Sequence, residues 1–75
     1  MKFPIYRKYS NNKSFFKILN EIEFEELKFI GQTVELYKVK AVQYPEKLFI
    51  NDLIKNAIEI SQEEFNSIYI LYLKA

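Results

Sequence analysis

Hydrophobic and polar residues alternate on both sides of the only glycine in the chain, Gly31, over residues 22–41. Folding the chain at Gly31 and Gln32 sets three pairs of opposite charges across from one another, Lys28 with Glu35, Glu25 with Lys38 and Glu23 with Lys40. Cross-strand pairs of this kind each contribute about 0.2–1 kcal/mol. Glycine at the first turn position accommodates the positive φ of a type II′ turn. The pattern predicts a long β-hairpin.

The hydrophobic residues of this hairpin change face along its length. Near the turn one face holds Leu27, Phe29, Val34 and Leu36, whereas further out the opposite face holds Ile22, Phe24, Val39 and Ala41. A shift of one residue reverses the face of every side chain in a strand. We therefore expect a β-bulge near Glu25–Glu26 or Tyr37–Lys38, or a strongly twisted ribbon, or a second apolar patch that a partner covers.

A first hairpin precedes the long one. Phe3 to Tyr9 and Ser14 to Asn20 are predicted as strands, and Asn11-Asn12 marks the turn because Asn tolerates left-handed backbone. Pro4 cannot donate to a ladder, so it belongs to an edge strand or to the start of a strand. Two registers are open, one that pairs Ile5 with Ile18 and one that pairs Tyr6 with Ile18.

Two helices are predicted to follow the strands. Glu46 to Asn56 has apolar residues at helical spacing, and Ala57 to Ile60 is either an extended link or a brief fifth strand. Ser61 and Glu64 have the spacing of a capping box, and Ile60 and Phe65 that of a hydrophobic staple, so a C-terminal helix should begin at Gln62. Within it, Ile68 to Leu73 is apolar almost all round, which favours a buried helix. A strand is the alternative for these six residues because their β-propensity is high.

Strands that come first and helices that come after are typical of an α+β fold. We expect one domain over residues 1–75, with a four-stranded antiparallel sheet made of two consecutive hairpins, a short helix, and a C-terminal helix packed on one sheet face.

The composition removes the common kinds of reactive site. The chain has no cysteine and no histidine, so thiol chemistry, a structural zinc and the commonest general base are not available. A single glycine excludes the glycine-rich phosphate loops. Glu21, Glu23, Glu25 and Glu26 could suggest a cation site, but the hairpin register gives two of them lysine partners. We expect no catalytic residue, cofactor, metal or small-molecule site, and hence no enzyme.

The chain is expected to be cytoplasmic. Its longest apolar run has six residues, far short of the roughly 20 that span a bilayer, and its N-terminus lacks the apolar segment of a signal peptide. The net charge of +1 implies neither membrane nor nucleic acid. Ten lysines to one arginine indicate an AT-rich genome, which suits an accessory or inhibitory protein of a bacterium or phage.

The C-terminal helix is the candidate protein interface. A chain this short buries only about 60% of its unfolded surface, and small scaffolds without disulfides often gain stability by oligomerising. We expect Ile70, Leu71 and Leu73 to contact a second copy or another protein.

The alternative function is single-stranded nucleic-acid binding by the basic, aromatic first hairpin. Lysine and arginine follow a phosphate backbone, and aromatic rings stack on bases. The candidate residues are Arg7, Lys8, Tyr9, Lys13, Phe15 and Lys17.

Overall fold

A computed structural model describes residues 2–74 of the chain. The elements along the chain are β1 (Ile5–Lys8), β2 (Ser14–Ile18), β3 (Glu23–Ile30), β4 (Thr33–Lys40), α1 (Tyr44–Asn56), β5 (Ile58–Glu59) and α2 (Gln62–Lys74). The strands form one antiparallel sheet in the order β4-β3-β2-β1-β5. The α+β class and the two consecutive hairpins, β1–β2 and β3–β4, are as predicted from the sequence.

The prediction of four strands is wrong, because β5 adds a fifth at the outer side of β1. Arg7 lies opposite Glu59, and the Ile60 N–H donates to the Tyr6 carbonyl at 3.3 Å. The chain leaves α1 in extended geometry at Ala57 and returns along β1. It thereby satisfies backbone groups that would otherwise need water.

The first hairpin adopts one of its two predicted registers, with Ile5 opposite Ile18. Asn12 has a φ of 59°, the left-handed conformation that asparagine tolerates. The side chain of Asn11 accepts a hydrogen bond from the Lys13 N–H at 2.9 Å. Pro4 directly precedes β1, as the prediction of a strand start allowed.

The long hairpin has the predicted register from Glu23 opposite Lys40 to Ile30 opposite Thr33. Gly31 has a φ of 63°, the positive value that the turn prediction required. Every residue of β3 has one partner in β4, so the β-bulge, one of the three alternatives for the change of face, is wrong.

The change of face in the hairpin matches two separate buried clusters. Because successive side chains of a strand point to opposite faces, Phe16 and Phe15 belong to different clusters. One, which we call the α1 cluster, contains Phe16, Ile18, Phe24, Ala41, Ile50 and Leu53. The other, the α2 cluster, contains Phe15, Leu27, Val34, Ile60 and Phe65. Each cluster thus combines one sheet face with one helix.

Residues close to each helix N-terminus determine where the two helices begin. α1 begins at Tyr44, two residues before the predicted start, because Pro45 fits the first helical turn, where no backbone N–H is required. α2 begins at Gln62, as predicted, and the Ser61 Oγ accepts the Glu64 N–H at 3.1 Å. Residues 68–73 are helical, so the strand alternative for them is wrong.

Candidate protein interface

The last two turns of α2 leave three large aliphatic side chains in solvent. Ile70, Leu71 and Leu73 are 48%, 47% and 61% exposed. The neighbouring side chains of Ile68, Tyr69 and Tyr72 are partly buried against the α2 cluster. The structure therefore separates the apolar C-terminal segment into a packed side and an open side, and all three predicted contact residues lie on the open side.

The three exposed residues are spread around the open side of the helix. Leu71 lines a groove of about 410 Å³ at the turn end of the long hairpin, together with Phe29, Gln32, Thr33, Val34 and Lys74. Because successive residues of an α-helix are turned by about 100°, Leu73 lies on the side of α2 opposite Leu71, and Ile70 lies between the two. The other half of the same sheet face lies away from the turn, at the opposite end of β3 and β4.

This other half of the sheet face is charged and carries no helix cluster. Its cross-strand neighbours are Glu23 with Lys40, and Glu25 with both Lys38 and Lys17. Along residues 2–74 the only ion pair within 4.0 Å is Lys8 with Glu64. No group of three or more acidic residues with metal-binding geometry occurs among the described residues. This half of the sheet face is therefore polar.

The residues of the nucleic-acid alternative are divided between the two sheet faces. Phe15 is 4% exposed and belongs to the α2 cluster, so its ring offers no surface to a base. Lys17 lies beside Glu25 on the same face as Phe15. Lys13 is exposed in the turn of the first hairpin. The structure does not bring the six predicted residues onto one surface.

Arg7 and Lys8 contact different helices. Nε and Nη2 of Arg7 both donate to the Ile54 carbonyl at 3.3 Å, near the C-terminus of α1, where a positive charge is favourable. Lys8 Nζ donates to Glu64 Oε2 at 3.1 Å in the first turn of α2. The two cations point to opposite faces because they are consecutive residues of one strand.

Tyr9 lies at the edge of the α1 cluster. Its ring meets Phe16 edge-on, with centroids 5.0 Å apart. Burial raises the pKa of the Tyr9 hydroxyl, and the negative charges of Glu26 and Asp52 raise it further. The ring is therefore packed on one side and available to solvent on the other.

A second exposed apolar patch, which the sequence reasoning missed, lies at the start of α1. Val42 and Tyr44 are each 71% exposed, and Leu48 lies one turn further along the helix. Spacing of four residues between Tyr44 and Leu48 is the signal that could have revealed it, but the predicted helix starts at Glu46, after Tyr44.

Comparisons with known proteins give no functional assignment. No family model matches the chain, and neither the curated proteins nor the solved structures include one that is significantly similar to it. None of the helices within residues 2–74 has the length and apolar character needed to cross a membrane.

Proposed function

We propose that this chain is a small non-enzymatic protein that acts by binding protein, and that it self-associates through the open side of α2. The observation that carries the proposal is the exposure of Ile70, Leu71 and Leu73 near the C-terminal end of one helix. Contiguous apolar side chains on a small soluble domain mark interaction surfaces.

The packing of α2 supports this assignment. We take α2 to be laid over one sheet face through Phe65, Ile68 and Tyr72, which join or contact the α2 cluster. Its N-terminal end is held by the Ser61 cap and by the Lys8–Glu64 ion pair. An interface on a helix that is fixed at one end needs little ordering on binding, which favours affinity.

The biological role that we propose is a general one. An accessory or inhibitory role in the cytoplasm of a bacterium or phage fits a small chain whose candidate surface is apolar and whose net charge is +1. Nucleic-acid binding is not proposed as a second function, because Arg7 and Lys8 bind protein groups and Phe15 is buried.

The test replaces the apolar side chains without disturbing the helix. Ile70→Lys and Leu73→Lys place a cation near a helix C-terminus, which the helix tolerates. Asn51→Lys, at an exposed position of the other helix, α1, is the matched control. Burial of an Ile or Leu side chain is worth about 1.5–3 kcal/mol, so each interface variant should weaken self-association at least tenfold by sedimentation equilibrium. Equal association constants for all three variants and the unmodified chain would contradict the proposal.

A further inference from the structure

Within residues 2–74, no strand pairs with the outer edge of β4. This strand is eight residues long and stands at one end of the sheet order. The opposite end is the two-residue β5, so the two edges differ fourfold in length. A long edge presents unpaired backbone groups that another strand can bind.

The hairpin register shows which backbone groups are free. The Ala41 N–H donates to the Ile22 carbonyl, and bonded residues alternate along an antiparallel pair. Glu35, Tyr37 and Val39 therefore direct their N–H and C=O groups to β3. The residues between them direct these groups to the free edge, namely Val34, Leu36, Lys38 and Lys40.

The sequence of β4 restricts how two copies could pair. Antiparallel pairing of one strand with its own copy in a continuous sheet has a twofold axis perpendicular to the sheet, which keeps each face on its own side. Directly opposed residues lie on the same face, so the axis must pass next to a position where one residue lies opposite the same residue of the second copy. An axis at Glu35 or Lys38 sets like charges opposite each other, which is destabilising. An axis at Leu36 avoids this and pairs Leu36 with Leu36, Glu35 with Tyr37, Val34 with Lys38 and Thr33 with Val39.

The Leu36 axis also brings the two α2 helices together. Leu36 is partly buried against the α2 cluster, and Leu71 shares a groove with Val34, so α2 reaches the edge on the turn side of Leu36. The opposite side of α2, which carries Leu73 with Ile70 next to it, is the side nearer the axis. The twofold rotation places the same side of the second copy's α2 directly across, on the same sheet face. An axis at Tyr37 also avoids opposed like charges, but it moves both helices further from the axis.

We propose that the chain forms a homodimer by antiparallel pairing of two β4 edges about Leu36. The pairing creates a continuous ten-stranded sheet, twice the five strands of one copy. The Ile70 and Leu73 flanks of the two α2 helices pack against each other across the axis. This inference rests on the proposed self-association through α2 and adds the strand that directs it.

Amide hydrogen exchange measured by NMR tests the pairing on the unmodified chain. In the monomer, the Leu36 and Lys38 N–H groups face solvent and exchange fast, whereas the Tyr37 N–H is bonded to β3 and exchanges slowly. We expect Leu36 and Lys38 to become at least tenfold more protected as the protein concentration rises through the range of association. A dimer whose Leu36 and Lys38 amides stay unprotected would overturn the strand pairing and leave the α2 interface standing.

A proline variant provides the matched test. Lys38→Pro removes an edge N–H that β3 does not use, and proline is tolerated on the open side of an edge strand. Lys38→Ala removes the same charge and keeps the N–H. We expect Lys38→Pro to be monomeric and folded by circular dichroism, and Lys38→Ala to remain a dimer.

The outcomes separate the two proposals. Dimers of both Lys38 variants would overturn the strand pairing. A monomeric Lys38→Pro beside a dimeric Leu73→Lys would support the strand pairing and overturn the α2 interface. If Lys38→Pro does not fold, the exchange of the unmodified chain decides the question. A chain that is monomeric at every concentration overturns both proposals.

Discussion

The two helices are held to the sheet at opposite ends. Near its C-terminus α1 is bound by Arg7 through the Ile54 carbonyl, while its N-cap residue, Gln43, makes no side-chain capping bond. α2 has the reverse arrangement, with a Ser61 cap and the Lys8–Glu64 ion pair at its N-terminus. One short strand, β1, anchors both helices because Arg7 and Lys8 point to opposite faces.

The exposed apolar residues lie at the ends that these anchors leave free. In α1 they are Tyr44 and Leu48 in the first turns, and in α2 they are Ile70 and Leu73 in the last turns. The comparison shows that basic residues in a strand with aromatic neighbours need not bind a ligand. Here they position two helices, and the surfaces available for binding are at the far ends.

The largest expected loss of stability comes from removing the ring of Phe16, which lies at the centre of the contacts between aromatic rings in the α1 cluster. Phe16 is fully buried and contacts the rings of Tyr9, Phe24 and Phe49. Phe16→Ala should cost about 3–5 kcal/mol of unfolding free energy, much of the stability of a domain this size. Urea denaturation measures it, with the partly exposed Phe49→Ala as control. A smaller loss for Phe16→Ala than for Phe49→Ala would contradict the assigned core.

The anchor of α1 should rank next. Hydrogen bonds to charged groups are worth about 1.5–3 kcal/mol, so Arg7→Ala should lose stability in that range, measured by the same urea titration. Arg7→Lys keeps the charge but lacks the planar fork that makes the two bonds to Ile54. It should recover only part of the loss. Full recovery in Arg7→Lys would show that charge alone holds the helix end.

The cap of α2 should matter less than the Arg7 anchor. Ser61→Ala removes the acceptor for the Glu64 N–H and should cost about 1 kcal/mol. Ser67→Ala removes a hydroxyl that bonds only the Glu64 carbonyl inside the helix, at 2.7 Å, and should be close to neutral. Thermal melts of both variants test the difference, and equal melting temperatures would refute the capping role of Ser61.

The smallest effect belongs to the ion pair at the start of α2. The side chains of Lys8 and Glu64 are 21% and 42% exposed, and pairs this open to solvent contribute about 0.2–1 kcal/mol. A double-mutant cycle with Lys8→Ala and Glu64→Ala should give a coupling in that range that shrinks with added salt. A salt-independent coupling would show that packing of the lysine stem, rather than charge, makes the contact.

Local patterns predicted much of this fold, and contacts distant in sequence account for what they missed. The register about Gly31 and the helix start after Ser61 depend on neighbouring residues, and both were predicted. Strand β5 has only two residues, both exposed, so the sequence pattern left open whether Ala57 to Ile60 forms a brief strand or an extended link. It forms because the edge of β1 that does not pair with β2 is available for backbone hydrogen bonds.

The candidate site was predictable to a similar degree. The exposure of Ile70, Leu71 and Leu73 followed from an apolar segment with more surface than one sheet face can cover. The role of Arg7 did not follow, because the carbonyl it binds lies 47 residues further along the chain. The hairpin's change of face was readable from sequence, but its explanation required a cluster on each face, one for each helix.

The solution mass of the unmodified chain tests the central claim of self-association most directly. Light scattering after size-exclusion chromatography, repeated over a range of loading concentrations, should show a mass that rises from 9.1 kDa toward twice that value. A mass that stays at 9.1 kDa at every concentration would contradict the account, and would mean that the open side of α2 and the edge of β4 do not bind a second copy.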